Sequence, residues 1–220
     1  MIRHVSFDFD GVLAQGSNEA YIDCLHRALQ SLGIELDPGL ERQRILATWG
    51  LPVRELASEL LKEHPDKVDL AINSFNEARR SPAFLAQVSL FNGVEATLKQ
   101  LTSRYSLSIV SGAERPLVLS VLGPQLATLF ASIHTSSDYE PSLQKPSPHM
   151  LKQAMLQASV TPNETVYIGD APNDLRMAVA AGVEPIAILT GHLTRSVATE
   201  LGARHILEDI TEFPEVLASL

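Results

Sequence analysis

Short apolar segments of strand length alternate with segments of helical periodicity, and this alternation constrains the fold more than any other feature of the chain. The segments that favour strands are HVSFDFD (4–10), SLSIVSG (106–112), SIHTS (132–136), TVYIGD (165–170) and EPIAILT (184–190), with a weaker one at RHIL (204–207). Helical periodicity marks segments between them, at 93–105, 147–159 and 173–182. Strands that alternate with helices predict an α/β fold, a parallel sheet with helices on both faces.

The alternation is interrupted once, between about residue 17 and residue 85. Four helical segments follow one another there, at 18–33, 40–50, 52–64 and 66–80. This succession predicts a helical domain inserted after the first strand, with short hinges near 15–18 and 82–91. The predicted domains are therefore residues 1–16 with 86–220, and residues 17–85.

Composition excludes several classes of protein. The formal net charge of −9 and a pI of about 5.2 argue against a nucleic-acid binder. The single cysteine, Cys24, excludes an internal disulfide and favours a reducing compartment. Asp8 and Asp10 interrupt any signal-peptide pattern, and no apolar run reaches the roughly 18 residues that span a bilayer. We therefore expect a cytoplasmic protein without nucleic-acid or membrane partners, either a monomer or a homodimer.

Paired carboxylates end two of the predicted strands. Alternation along a strand places Asp8 and Asp10 on one side of the chain, where burying both costs several kcal/mol unless a cation or hydrogen bonds offset the charge. Asp170 ends a later strand, and Asp174 falls in the first turn of the helix that follows it. Carboxylates from different strand ends can converge on one hard cation, and oxygen ligands favour Mg²⁺. The alternative is that Asp174 merely complements the helix dipole.

An anion site is predicted beside these carboxylates. Ser111 and Gly112 end a strand and precede a helix, so a hydroxyl and backbone N–H groups meet there. The same pattern is common as a simple cap and turn. Lys145 lies in a proline-rich loop just before a helix, where it could balance an anion, although a single lysine is more often a solvated surface charge.

These segments, in this order, resemble the motifs of the haloacid dehalogenase-like hydrolase superfamily. DFDGVL is similar to the first motif, Ser111 to the second, Lys145 with KPSP to the third and GDAPND to the fourth. The helical insertion resembles that of phosphoglycolate phosphatase-like members with a small helical cap. The resemblance implies a Rossmann-like catalytic core and a Mg²⁺-dependent phosphatase acting on a small-molecule phosphomonoester.

The resemblance also implies a role for each residue. Asp8 would be the nucleophile that forms an aspartyl-phosphate, and Asp10 would protonate the leaving alcohol and then deprotonate water, while Phe9 between them points into the core. The ligands of Mg²⁺ would be the Asp8 carboxylate, the Asp10 backbone carbonyl, Asp170 and Asp174. Ser111 and Gly112 would bind phosphoryl oxygens, and Lys145 would neutralise charge on the phosphate and on Asp8.

The substrate and the exact reaction stay open at this point. Arg44, Trp49 and Arg54 are candidates for substrate contact because they lie in or near a predicted loop between cap helices, WGLP (49–52). However, a tryptophan is more often a core residue, and arginines on helices are usually solvated. Phosphoglycolate, sugar phosphates, nucleotides and pyrophosphate remain possible substrates. A sugar phosphomutase with the same nucleophile and a non-catalytic sensor of phosphate ligands are the alternative functions.

Overall fold

The fold was determined as a computed structural model that describes residues 1–48 and 53–220. Its strands in chain order are β1 His4–Phe7, β2 Ala14–Gln15, β3 Ser89–Leu90, β4 Ser106–Val110, β5 Ser132–His134, β6 Thr165–Gly169, β7 Glu184–Ile188 and β8 His205–Leu207. Its α-helices are α1 Ser17–Ser31, α2 Pro38–Ala47, α3 Val53–Leu60, α4 Val68–Ala78, α5 Pro82–Leu85, α6 Val94–Leu101, α7 Arg115–Ala127, α8 His149–Ala158, α9 Pro172–Ala181, α10 Arg195–Glu200 and α11 Phe213–Ala218. Within the described residues, each predicted strand and helical segment has a counterpart, and the strands are shorter than the apolar runs that predicted them. The ends of the predicted helical segments at 49–50 and 52 lie outside the described residues.

The chain divides into two compact units. One consists of residues 1–15 and 89–220, and the other of residues 16–88. The first contains a six-stranded sheet in the order β5-β4-β1-β6-β7-β8, in which all neighbouring strands are parallel. The α/β fold with a parallel sheet is thus confirmed.

Each face of the sheet is covered by helices. On one face, α8 and α9 pack on a buried cluster that includes Val110, Met150, Tyr167 and Met177. On the other, the Phe7 ring makes an edge contact with Phe213 of α11 at 5.8 Å between centroids. Burial on both faces explains why β6 and β7 are mainly apolar runs. In β1 and β4 the polar residues His4, Ser6 and Ser108 are also completely buried, and their side chains are hydrogen-bonded to one another.

In the second unit, all the regular secondary structure of the described residues is helical. α1 packs against α4 and α5, and α3 packs against α2 and α4. The Tyr21 ring lies 6.1 Å from Phe75 and 5.0 Å from Phe84, between centroids, which joins the first helix to the last two. Among the described residues, no helix is long and apolar enough to cross a membrane.

The predicted hinges contain a feature that the sequence reading missed. Ala14 and Gln15 pair antiparallel with Leu90 and Ser89, so the chain leaves and rejoins the first unit through a two-residue β-ribbon. The Gln15 side chain also donates from Nε2 to the Leu90 carbonyl at 3.4 Å. Strands of two residues show no periodicity, so the sequence could not predict this ribbon.

Candidate active site

The predicted site residues lie at the carboxyl ends of three adjacent strands. Asp8 follows β1, Ser111 follows β4 and Asp170 follows β6, and β1 lies between the other two. Because these strands are parallel, their carboxyl ends meet at one edge of the sheet, where open α/β sheets bind ligands. The topology therefore brings together residues that are more than 160 positions apart in the chain.

Three buried carboxylates form the centre of the site. Asp8, Asp170 and Asp174 are 7%, 3% and 1% exposed, and one carboxylate oxygen of each lies within 4.8 Å of the others. Asp174 is the third residue of α9, as predicted, and its Oδ2 accepts the Ala171 N–H at 3.0 Å. Asp10 is half-buried and its carboxylate is not part of this group. Phe9, between Asp8 and Asp10, is completely buried.

Lys145 lies against this cluster and is not a solvated surface charge. Its Nζ is 2.7 Å from Asp8 Oδ1 and 2.6 Å from Asp174 Oδ1, and its side chain is 10% exposed. The ammonium therefore bridges two of the three carboxylates.

Burial and mutual repulsion perturb the ionisation of the cluster. Burial, followed by the charge of Asp174, raises the pKa of Asp8 to about 6 despite the nearby Lys145. Burial and the charges of Asp174 and Asp8 also raise the pKa of Asp170 well above its ordinary value. Burial by itself lowers the pKa of Lys145, but Asp174 and Asp8 outweigh it and raise the pKa, so the lysine stays charged.

The cluster has the donor set and the charge that suit a divalent cation. Its carboxylates carry three negative charges when all are ionised, and Lys145 supplies one positive charge. The excess of two is what one divalent ion would offset. All the donors are oxygens, which hard cations such as Mg²⁺ prefer. The residues present therefore fit the metal that the sequence predicts.

The Ser111–Gly112 segment lies beside the carboxylates at the end of β4. Ser111 is 1% exposed, and its hydroxyl oxygen accepts the Ala113 N–H at 3.1 Å. A methyl group built on Gly112 would meet no atom within 4 Å, so its Cα faces open space. The hydroxyl does serve as a turn cap, and the open space beside it leaves room for a small anion.

A fourth strand end contributes to the site, and the sequence reading did not identify it. The loop after β7 packs on Asp170, whose backbone carbonyl accepts the N–H groups of His192 and Leu193, each at 2.9 Å. The Thr190 hydroxyl donates to the Gly11 carbonyl. A Cβ at Gly191 would lie 2.5 Å from Asp170 Cγ, so only glycine allows this approach. The available signal was Gly191 itself, directly after an apolar strand.

Two of the three candidates for substrate contact, the arginines, have structural partners within the helical unit. The Arg44 guanidinium donates to the Glu63 carboxylate at 2.9 and 3.0 Å and to the Leu60 carbonyl at 3.1 Å. Arg54 forms an ion pair with Asp69 at 2.6 Å. Trp49 lies outside the described residues. The contacts of Arg44 stabilise the unit internally, so nothing in them favours a role in substrate binding.

Comparison with known proteins identifies related sequences over most of the chain. The profile of the family described as haloacid dehalogenase-like hydrolase matches residues 5–188. A phosphoserine phosphatase from Thermus thermophilus is 32% identical over 175 residues, which cover 76% of this chain and 66% of that protein. A phosphoglycolate phosphatase from Pseudomonas fluorescens is 27% identical over 199 residues, covering 86% of this chain and 70% of that protein.

The fold is also similar to solved structures. A structure from Thermotoga maritima that is described as a candidate β-phosphoglucomutase superposes with a TM-score of 0.80 and covers 100% of both chains. Its sequence is 21% identical, so the likeness establishes the fold alone.

Proposed function

Because this chain belongs to the haloacid dehalogenase-like hydrolases, we propose that it cleaves small-molecule phosphomonoesters through an aspartyl-phosphate on Asp8, with Mg²⁺ as its cofactor. Its relatives make it a phosphatase of that family, similar to the phosphoglycolate phosphatases. The covalent course of the reaction, the identity of the metal and the roles of individual residues are the proposed part.

One observation carries the proposal most directly. Lys145 bridges Asp8 and Asp174 inside a buried cluster whose remaining negative charge calls for a further cation. An anionic phosphate could not approach three uncompensated carboxylates. With the lysine and a divalent ion in place, the same carboxylates offer a nucleophile beside concentrated positive charge, which is the main requirement of phosphoryl transfer.

Asp8 and Asp10 would carry out the bond-making and proton-transfer steps. A carboxylate oxygen of Asp8 attacks phosphorus, and the bond between phosphorus and the ester oxygen breaks while the Asp10 carboxyl gives its proton to the leaving alkoxide. Asp10, now ionised, then takes a proton from a water molecule as the water oxygen attacks the phosphorus. The bond between phosphorus and Asp8 breaks, which releases inorganic phosphate and restores both residues.

Other residues would bind and orient the phosphoryl group. The Ser111 hydroxyl and the Gly112 N–H would donate to two of its oxygens, and the Lys145 ammonium would donate to a third. An ammonium has three N–H donors, and two are directed at Asp8 and Asp174. The remaining donor is therefore the one that we assign to the phosphate.

The residues that would hold Mg²⁺ are Asp8, Asp170, Asp174 and the backbone carbonyl of Asp10. The ion would supply Lewis-acid polarisation of a phosphoryl oxygen and would offset the charge of Asp8. We assign substrate selection to residues 16–88 as the family's cap domain. The relatives' substrates, phosphoserine and phosphoglycolate, make small phosphorylated acids the first candidates.

The test is phosphate release from a panel of small phosphate esters, with Mg²⁺ or with EDTA. We expect release that needs Mg²⁺ in the wild type and in the control Glu215→Gln, which changes an exposed carboxylate of α11, outside the helical unit. Release should be lost in Asp8→Asn, because an amide is a poor nucleophile. Acid-quenched wild type should carry one phosphoryl group that Asp8→Asn lacks.

Other outcomes would contradict the proposal in distinct ways. Isomerisation of a sugar phosphate without net phosphate release would indicate a mutase. Binding of inorganic phosphate without turnover of any ester would indicate a sensor. Full activity in EDTA would reject the metal, and normal activity in Asp8→Asn would reject the nucleophile.

A further inference from the structure

Tyr167 contacts three separate parts of the site although it belongs to none of the motifs. It lies in β6, three residues before Asp170, and is completely buried. Its hydroxyl is 2.9 Å from the carbonyl oxygen of Val110, the residue before Ser111. The same hydroxyl is 3.1 Å from Asp174 Oδ1, and the ring centroid is 5.5 Å from Lys145 Nζ.

The hydroxyl is a donor to both of its oxygen partners. A phenol has one proton, while a backbone carbonyl and an ionised carboxylate only accept, so the Tyr167 O–H is shared between Val110 and Asp174. Burial, followed by the charges of Asp174 and Asp8, raises the pKa of Tyr167 well above its ordinary value.

Asp174 is consequently held at both of its oxygens. Oδ1 accepts from Lys145 at 2.6 Å and from Tyr167 at 3.1 Å, while Oδ2 accepts the Ala171 N–H at 3.0 Å. Lys145 reaches Asp8 while bound to that same Oδ1 atom. The direction in which Asp174 points thus determines where the ammonium lies relative to Asp8.

We propose that Tyr167 is a positioning residue of this active site: its hydroxyl fixes the Asp174 carboxylate and, through it, holds the Lys145 ammonium against Asp8. The ring lies beside the ammonium and adds a cation–π attraction. The bond to Val110 ties this arrangement to the strand that carries Ser111. The expected effect of Tyr167 on turnover rests on the proposed phosphatase function. The positioning of Asp174 and Lys145 by Tyr167 rests on the contacts alone.

The experiment compares Tyr167→Phe with Tyr139→Phe. Each variant loses only a hydroxyl that is hydrogen-bonded within the protein. The Tyr139 hydroxyl is 2.6 Å from His134 Nδ1. The side chain of Tyr139 contacts His134 and His149, which have no proposed catalytic role. Each variant is assayed for kcat and KM, for thermal unfolding, and for exchange of the Lys145 Nζ protons by nitrogen-15 NMR, with the lysine signal assigned from its loss in Lys145→Met.

We expect Tyr167→Phe to lower kcat about 10-fold with little change in KM, as for loss of a hydrogen bond to a charged group. The Lys145 protons should exchange about 10-fold faster in this variant. Tyr139→Phe should leave both quantities as in the wild type, whatever its effect on thermal unfolding.

The inference is overturned if Lys145 exchange and kcat are unchanged in Tyr167→Phe, or if both variants change them equally. A merely structural tyrosine would lower only the unfolding temperature. If the wild type turns over no ester, the proposed function fails, whereas faster Lys145 exchange confined to Tyr167→Phe would still support the positioning of the ammonium. Unchanged exchange in that case would overturn this inference as well.

Discussion

Replacing Gly191 by alanine should disable the site although it replaces none of the proposed catalytic or metal-binding residues. The new Cβ would lie 2.5 Å from Asp170 Cγ and 2.8 Å from Asp170 Cβ. Carbon atoms in contact prefer about 3.5–4.0 Å, so either the carboxylate or the loop must move by about 1 Å. The Asp170 carbonyl is bonded to the N–H groups of His192 and Leu193, which limits how far the loop can retreat.

The size of the effect follows from that displacement. A misplacement of about 1 Å in a catalytic array can reduce the rate by about 100-fold. A displaced metal ligand should also weaken Mg²⁺ binding by roughly 10- to 100-fold. We therefore expect kcat/KM to be about two orders of magnitude lower in Gly191→Ala than in the wild type. Calorimetry should show that its Mg²⁺ affinity is also lower.

Gly112→Ala provides the matched comparison. Its new methyl would meet no protein atom within 4 Å, so Asp170 stays in place and Mg²⁺ affinity should remain as in the wild type. Binding of inorganic phosphate should fall instead, because the methyl enters the proposed phosphate site. Circular dichroism shows whether each variant folds. Wild-type Mg²⁺ affinity and activity in Gly191→Ala would refute the reasoning about this loop.

Three further predictions concern stability and the helical unit. Burial lowers the pKa of His4 to about 4 in the folded protein. Between about pH 6.5 and pH 4 the imidazole is therefore protonated in the unfolded chain but not in the folded one, so stability falls as the pH drops through this range. Between pH 7 and pH 5, His4→Gln should therefore lose about 2 kcal/mol less unfolding free energy than the wild type, as measured by urea unfolding. An identical pH dependence in the two proteins would refute the lowered pKa of His4. Lys145→Ala should cost about 3–5 kcal/mol of unfolding free energy in EDTA, because it leaves buried carboxylates uncompensated, and Mg²⁺ should restore part of it; a loss unaffected by Mg²⁺ would contradict the cation site. Arg44→Ala should lower the unfolding temperature and leave KM unchanged, because Arg44 is bonded to Glu63 and Leu60; a raised KM at unchanged stability would instead indicate substrate contact.

Much of the site could be predicted because its residues are marked by local signals. Asp8, Ser111 and Asp170 each end an apolar strand, and the carboxyl ends of parallel strands share one edge of the sheet. Asp174 is placed by the first turn of the next helix. Resemblance to the family motifs then adds Lys145, which no periodicity would single out.

The contacts that organise those residues could not be predicted in the same way. Tyr167 reads as one more apolar residue of a buried strand until the strand order sets its hydroxyl between Val110 and Asp174. The Thr190 hydroxyl and the Gly11 carbonyl are 179 positions apart, and no local pattern relates them. Whether Arg44 faces a ligand or Glu63 is likewise decided by helix packing.

The sequence by itself therefore determined the kinds of elements, their order and the residues at the strand ends, because propensity, periodicity and turn chemistry act over a few neighbouring residues. Only the tertiary structure decided that Lys145 bridges Asp8 and Asp174, that Tyr167 holds Asp174 and that Gly191 packs on Asp170. Those contacts arise from the order of the strands and the close packing between them, which bring distant parts of the chain within hydrogen-bonding distance.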